Sequence, residues 1–205
     1  MANVKITDMT AASTPLAGTE LLEIVQGGES RKVAASAIGN SASALPYASL
    51  SGRAYISAYD ITDQTGSTSA ATAVKINTTG FSSGISIAND GSGNPTRITF
   101  TAAGTYMIAP SLQLYNSAAS DYDATIWFRK NGTNIANSST IVTVPKVGDG
   151  GSAFFQIVFY EQVTAGQYIE IMWLPENVAV TIDYTAAGAI APAIPSVIVC
   201  AERIA

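Results

Sequence analysis

Residues 152–174 read SAFFQIVFYEQVTAGQYIEIMWL, two long apolar runs split by Thr-Ala-Gly. Such a stretch predicts a β-hairpin with a short glycine-containing loop. In the first arm Phe155, Ile157 and Phe159 fall on one face, and Phe154, Val158 and Tyr160 fall on the other. The return arm sets Ile169, Ile171 and Trp173 against Tyr168, Met172 and Leu174. A strand apolar on both faces is not a half-wet edge. One face needs a sheet to pack on, and the other needs a second sheet or a second subunit. The expectation is that Phe154, Val158, Ile171 and Trp173 enter the core, while Phe155, Ile157 and Phe159 meet another subunit. Glu161 and Glu170, the only charges in the stretch, read as solvated ends.

The overall balance supports self-association. Charged residues make up 12% of the 205-residue chain against 47% hydrophobic, so few charges are available to keep a lone surface wet. The net charge of −5 and ten basic residues without a cluster argue against nucleic acid as a partner. The single cysteine, Cys200, sits in an apolar run and reads as a buried core thiol. No run approaches about 18 apolar residues and no signal pattern opens the chain, so neither a membrane span nor secretion is expected.

The first 40 residues differ from the rest of the chain. Gly27-Gly28 between 20–26 and 29–33 predicts a two-residue hairpin turn. It places Glu23 opposite Lys32, an opposite-charge cross-strand pair, and puts Leu22, Ile24 and Val33 on one face and Leu21 and Val25 on the other. A lone hairpin is not stable, so its apolar faces must dock on something. Residues 41–53 are small, polar and proline-containing. They read as a linker, or alternatively as a short helix or arm pinned by Leu45, Tyr47 and Leu50. From 54 onward short strands alternate with turn signals. Candidates are 54–61, 73–77, 84–88, 97–101, 105–115, 123–130, 133–137, 141–144, 178–185 and 196–203, with the 152–174 stretch among them. Asn131-Gly132 marks a strong hairpin turn. About ten strands without helical periodicity predict an all-β sandwich or jelly roll.

Several motifs within these strands resemble the trimeric jelly roll of the complement and tumour necrosis factor type. They are Phe100, Gly104 and Tyr106; Trp127, Lys130, Asn131 and Gly132; and Ala165, Gly166, Tyr168, Ile169 and Ile171. Gln167 stands where that family usually has Asp after the turn glycine. The resemblance covers 54–205 and implies three-fold association through apolar strand faces, and binding rather than catalysis. Separately, Ile6, Ala11, Ala12, Leu16, Gly18 to Leu22 and Val25 to Gly28 resemble the short N-terminal module of bacteriophage fibre and decoration proteins. That likeness implies attachment to a virion.

Catalytic readings are poorly supplied. Without histidine, Ser-His and Cys-His nucleophiles and His-based zinc sites are excluded, and one cysteine excludes thiolate clusters. Asp121 and Asp123 read as turn formers. A glycan hydrolase using Asp121/Asp123 or Glu161/Glu170 stays open as a minor alternative. Residues 89–94 (NDGSGN) offer hard oxygen ligands but lack the spacing of a helix-loop-helix calcium site, and read as a plain loop. Residues 148–151 (GDGG) read as a flexible tip rather than a phosphate cradle.

The expectation is therefore an all-β protein: a small N-terminal β-hairpin module over 1–40, a linker over 41–53, and a jelly-roll β-sandwich of about ten strands over 54–205. The functional expectation is a non-enzymatic, cofactor-free homotrimer of a bacteriophage virion, a capsid decoration or cement (head-fibre) protein assembled in the host cytoplasm. Phe155, Ile157 and Phe159 would form its trimer interface. Leu22, Glu23, Ile24, Val25, Lys32 and Val33 would dock on the major capsid protein or another virion component. The alternative is a short tail fibre whose loops at 116–123 and 146–151 read a host surface glycan.

Overall fold

The computed structural model describes residues 21–26, 28–34 and 53–205. The chain divides into two compact units, Met1–Gly52 and Arg53–Ala205. In the first, β1 (Leu21–Gln26) pairs antiparallel with β2 (Glu29–Ala34). Gln26 faces Glu29 across the two-residue loop, and Gly28 has φ +83°, a backbone state that suits glycine. Leu22 pairs with Val33 and Glu23 with Lys32, as the glycine turn predicts. The remainder of the expected attachment module and residues 41–52 of the expected linker lie outside the described residues.

In the second unit the early strands are β3 (Tyr55–Asp60), β4 (Gln64–Thr65), β5 (Thr72–Ala73), β6 (Thr78–Ser83), β7 (Ile85–Asn89) and β8 (Pro95–Phe100). The long β9 (Gly104–Asn116) and β10 (Tyr122–Lys130) come next, then β11 (Thr133–Asn134) and β12 (Thr140–Val144). The chain closes with β13 (Ser152–Gln156), β14 (Phe159–Val163), β15 (Tyr168–Pro175), β16 (Val180–Ile182) and β17 (Val197–Arg203). Sheet I has the order β4-β16-β9-β17-β3-β6, with β13 and β14 also on β9. Sheet II has the order β11-β10-β15-β8-β7, with β12 on β10 and β5 on β15. Every named pairing is antiparallel. The chain changes sheet at β4–β5, β5–β6, β6–β7, β8–β9, β9–β10, β12–β13, β14–β15 and β15–β16, and this wiring makes the sandwich a jelly roll.

Strict alternation builds the core. Along β9, Tyr106, Ile108, Leu112 and Leu114 point inward; along β10, Ala124, Ile126 and Phe128 do; along β15, Ile169, Ile171 and Trp173 do. The Phe100 and Tyr106 rings meet at 4.4 Å, and the Tyr106 hydroxyl donates to the Ala102 carbonyl at 3.0 Å. Asn131 (φ 48°) and Gly132 (φ 83°) form the expected two-residue turn between β10 and β11.

The 152–174 stretch departs from expectation. It is not a hairpin: β13 and β14 pair with β9 in sheet I, whereas β15 pairs with β10 and β8 in sheet II. The Thr-Ala-Gly turn carries the chain across the sandwich. The first arm keeps one register along β9, Phe155 facing Leu112 and Phe159 facing Ile108, yet its ladder breaks at Ile157 and Val158. Pro110 stands opposite that gap. Its carbonyl accepts from the Ile157 amide at 3.4 Å, but a proline has no N–H to return.

Candidate interaction face

Among the described residues, the sheet I strands turn one face inward and leave the other uncovered. Phe154, Val158 and Tyr160 project outward from the first arm, and Phe154 and Tyr160 are 55% and 56% exposed. Cross-strand register extends this strip. Tyr160 faces Met107, which faces Glu202, which faces Tyr55. One row further, Ala109 faces Cys200, Cys200 faces Ser57, and Ser57 faces Phe81. Ile198 is exposed beside them, and the Tyr55 and Phe81 rings approach to 6.1 Å at a 59° tilt. Tyr55, Phe81, Met107 and Cys200 line a shallow groove of about 200 Å³. Glu202 brings a charge to these rows, 4.0 Å from Arg53. A largely apolar exposed surface of this kind is a candidate interaction face.

The face predicted for the interface is the opposite one. Phe155 is only 5% exposed and belongs to the sandwich core; Ile157 and Phe159 pack against that core. The Phe159 ring stacks on Phe128 of sheet II, centroids 4.5 Å apart and 12° from parallel. This corrects the assignment of Phe155, Ile157 and Phe159 to a subunit interface, and of Phe154 and Val158 to the core. Both sets are apolar with a period of two, so composition could not tell which parity faces sheet II. Ile171 and Trp173 are buried as expected. Cys200 is exposed, not a core thiol, because Val197, Val199 and Ala201 take the inward positions of β17.

The predicted docking residues Leu22 and Glu23 sit on β1 opposite Val33 and Lys32 on β2, and the Lys32 side chain is exposed. Asp121 and Asp123 are hydrogen-bonded within the fold. Asp121 Oδ1 accepts from the Lys146 amide at 2.8 Å, and Asp123 Oδ1 from the Thr143 hydroxyl at 2.7 Å. Val147 N–H donates to the Ala118 carbonyl at 2.9 Å, so the 116–123 and 146–151 loops are bonded to one another. Gly151 is buried rather than a loose tip; a Cβ there would lie 2.8 Å from the Tyr115 ring and 2.9 Å from the Asn116 carbonyl. Asp90 Oδ1 accepts from the amides of Ser92 (2.8 Å) and Asn94 (2.9 Å), so its carboxylate organises its own loop. The Asn94 amide first, with Ser92 adding, holds that carboxyl below its ordinary value of 3.8.

Glu170 is not a solvated end. It is 1% exposed on the outer side of sheet II. Its Oε2 accepts from Arg129 Nε (3.0 Å) and lies 2.9 Å from Nη2 of the same guanidinium in an ion pair, and its Oε1 accepts from the Thr96 hydroxyl (2.9 Å). Arg97 Nε lies 3.8 Å from the same carboxylate, and its guanidinium covers the Tyr168 ring at 4.3 Å. Register explains the cluster, since Arg129 pairs directly with Glu170 across β10 and β15. Glu161 is paired with Lys130, which joins the two sheets at one end of the sandwich.

No protein-family model matches the chain, and no curated protein sequence matches it significantly. Among solved structures, crystal structures of murine APRIL at pH 8.5, 5.0 and 8.0 are similar to it, with TM-scores of 0.46, 0.45 and 0.47. Sequence identities are 8%, 7% and 8%, over 74% of this chain and 99% of each of theirs.

Proposed function

We propose that this chain is a non-catalytic homotrimeric attachment protein of a bacteriophage virion, a capsid decoration or cement protein. The observation that carries the trimer is the uncovered apolar face of sheet I, with Phe154, Val158, Tyr160, Ile198, Tyr55 and Phe81 exposed on it. Three copies closed around an axis hide such a face without leaving an open surface for further addition. The virion assignment rests on the N-terminal sequence resemblance. In this reading the β1–β2 hairpin, with Leu22, Glu23, Ile24, Val25, Lys32 and Val33, docks on the capsid. Apolar burial there contributes about 25 cal/mol per Å². Linking three weak docking elements raises overall avidity far beyond one contact.

Sedimentation at micromolar concentration tests the assembly. The intact chain should run at three times its monomer mass, and Val158→Asp should run as a monomer. An intact chain that is monomeric at that concentration sinks the proposal. For the anchor, a protein lacking residues 1–40 should remain a soluble trimer and no longer bind particles. Continued decoration by that truncation overturns the anchor assignment. A second reading, a short tail fibre, is favoured by the hydrogen-bonded pairing of the 116–123 and 146–151 loops, which offers one continuous recognition surface. Label on intact particles, at the head or at the tail, decides between the two.

A further inference from the structure

A second recessed surface lies away from the apolar face, beside the Glu170 cluster. It is a cleft of about 360 Å³ between the 64–76 segment, the 90–94 loop and the outer side of sheet II. Its walls are fixed by hydrogen bonds that need no ligand. The buried Gln64 side chain clasps the backbone of Lys75, donating to its carbonyl at 3.0 Å and accepting from its amide at 2.8 Å. Val74 and Ile76, on either side, donate their amides to the carbonyls of Ile171 and Pro95, both at 2.8 Å. Both side chains are in the core, so alternation turns Lys75 outward into the cleft wall. On the facing side Asp90 locks its loop, and Glu170 holds Arg129.

What remains unused defines the ligand. Among the described residues Lys75 forms no ion pair, whereas Arg129 is engaged by Glu170 and Asp90 by its own loop amides. The Thr72 hydroxyl accepts from the Ser67 amide and keeps its proton to donate. The Thr96 hydroxyl gives its proton to Glu170 and, on a residue only 1% exposed, is closed to a ligand. Ala71 and Ala73 supply an apolar portion of the wall. One uncommitted ammonium, a free hydroxyl donor and an apolar patch suit a small polyhydroxylated molecule carrying one negative charge. The volume falls at the small end of ligand pockets.

We propose that this cleft binds a carboxylated sugar of the uronic acid class, with Lys75 pairing its carboxylate and Thr72 donating to a ring hydroxyl. The inference does not depend on the trimer or the virion assignment. It is tested by calorimetric titration of the full chain with galacturonate, and with galactose as the uncharged counterpart. Galacturonate should bind about tenfold tighter than galactose at moderate ionic strength. Lys75→Met should abolish that preference, while Lys146→Met, outside the cleft, should keep it. Thr72→Val supplies an independent variant and should weaken both sugars severalfold. Equal binding of the two sugars, binding of neither at tens of millimolar, or an unchanged preference in Lys75→Met overturns the proposal. Sedimentation of the same samples reads the oligomeric state separately, so loss of sugar binding and loss of assembly are distinguishable.

Discussion

The outer faces of the two sheets are built on opposite principles. Sheet I presents Phe154, Val158, Tyr160 and Ile198 with hardly a charge among them. Sheet II presents Arg97, Glu170 and Arg129 in one cross-strand row, every carboxylate oxygen engaged. Both faces lie on strands with the same inward alternation, so the core does not distinguish them. The difference is in what each face needs next. An apolar face gains only by being covered, whereas the Glu170 carboxylate has partners for both oxygens within one subunit. A sandwich with one face of each kind is asymmetric, apolar on one outer side and charged on the other.

The sharpest way to break this contrast is within β13, where adjacent phenylalanines face opposite ways. Phe155→Ala should lower unfolding free energy by about 3–5 kcal/mol through a core cavity. Phe154→Ala should leave the stability of the subunit within about 0.5 kcal/mol and weaken association instead. Denaturant titration beside sedimentation reads both, and equal stability losses would erase the distinction between the two faces. On sheet II, Glu170→Ala should cost about 3 kcal/mol, because two arginines lose their buried counter-charge. Chemical denaturation measures it, and a loss below about 1 kcal/mol would mean that solvent already screens the cluster.

The smallest effect concerns the rim of the cleft and has a defined sign. Asp90 binds its proton less tightly when folded than its ordinary value of 3.8, so the unfolded chain takes up a proton first as pH falls. Its contribution is therefore present above that value and is lost as pH drops through the lower folded value. Asp90→Asn should flatten the acid limb of stability against pH below about pH 4, because the contribution that the carboxylate supplies at neutral pH is then missing at every pH. An acid limb identical to that of the parent chain would remove Asp90 from the account.

Much of this architecture is legible in the residues. The Asn131-Gly132 turn, the register of Glu23 on Lys32, and strands near β3, β7, β8, β9, β10, β12 and β17 follow from turn chemistry and alternation. β6 leaves no such signal because TTGFSS has no apolar periodicity; it is an exposed strand held by pairing to β3. The hairpin expectation fails because Thr-Ala-Gly looks the same whether a chain folds back in its own sheet or crosses to the facing one. Glu170 reads as solvated in the sequence because its partners, Thr96, Arg97 and Arg129, are brought together only by strand pairing across long sequence separations. The need for a partner at the apolar face is visible in the residues, but its parity depends on which side of the arm meets sheet II.

Pro110 has a further consequence. With no amide to give, it splits the 152–163 arm into two short hydrogen-bonded halves along β9. Each half can open without carrying the other, so deuterium uptake by this arm should proceed in two separate phases instead of one cooperative event. Val158, at the seam, belongs to the part of the ribbon that yields first. A partner subunit seated there would act as a splint, and its arrival should be read most clearly as slowed exchange on either side of the break.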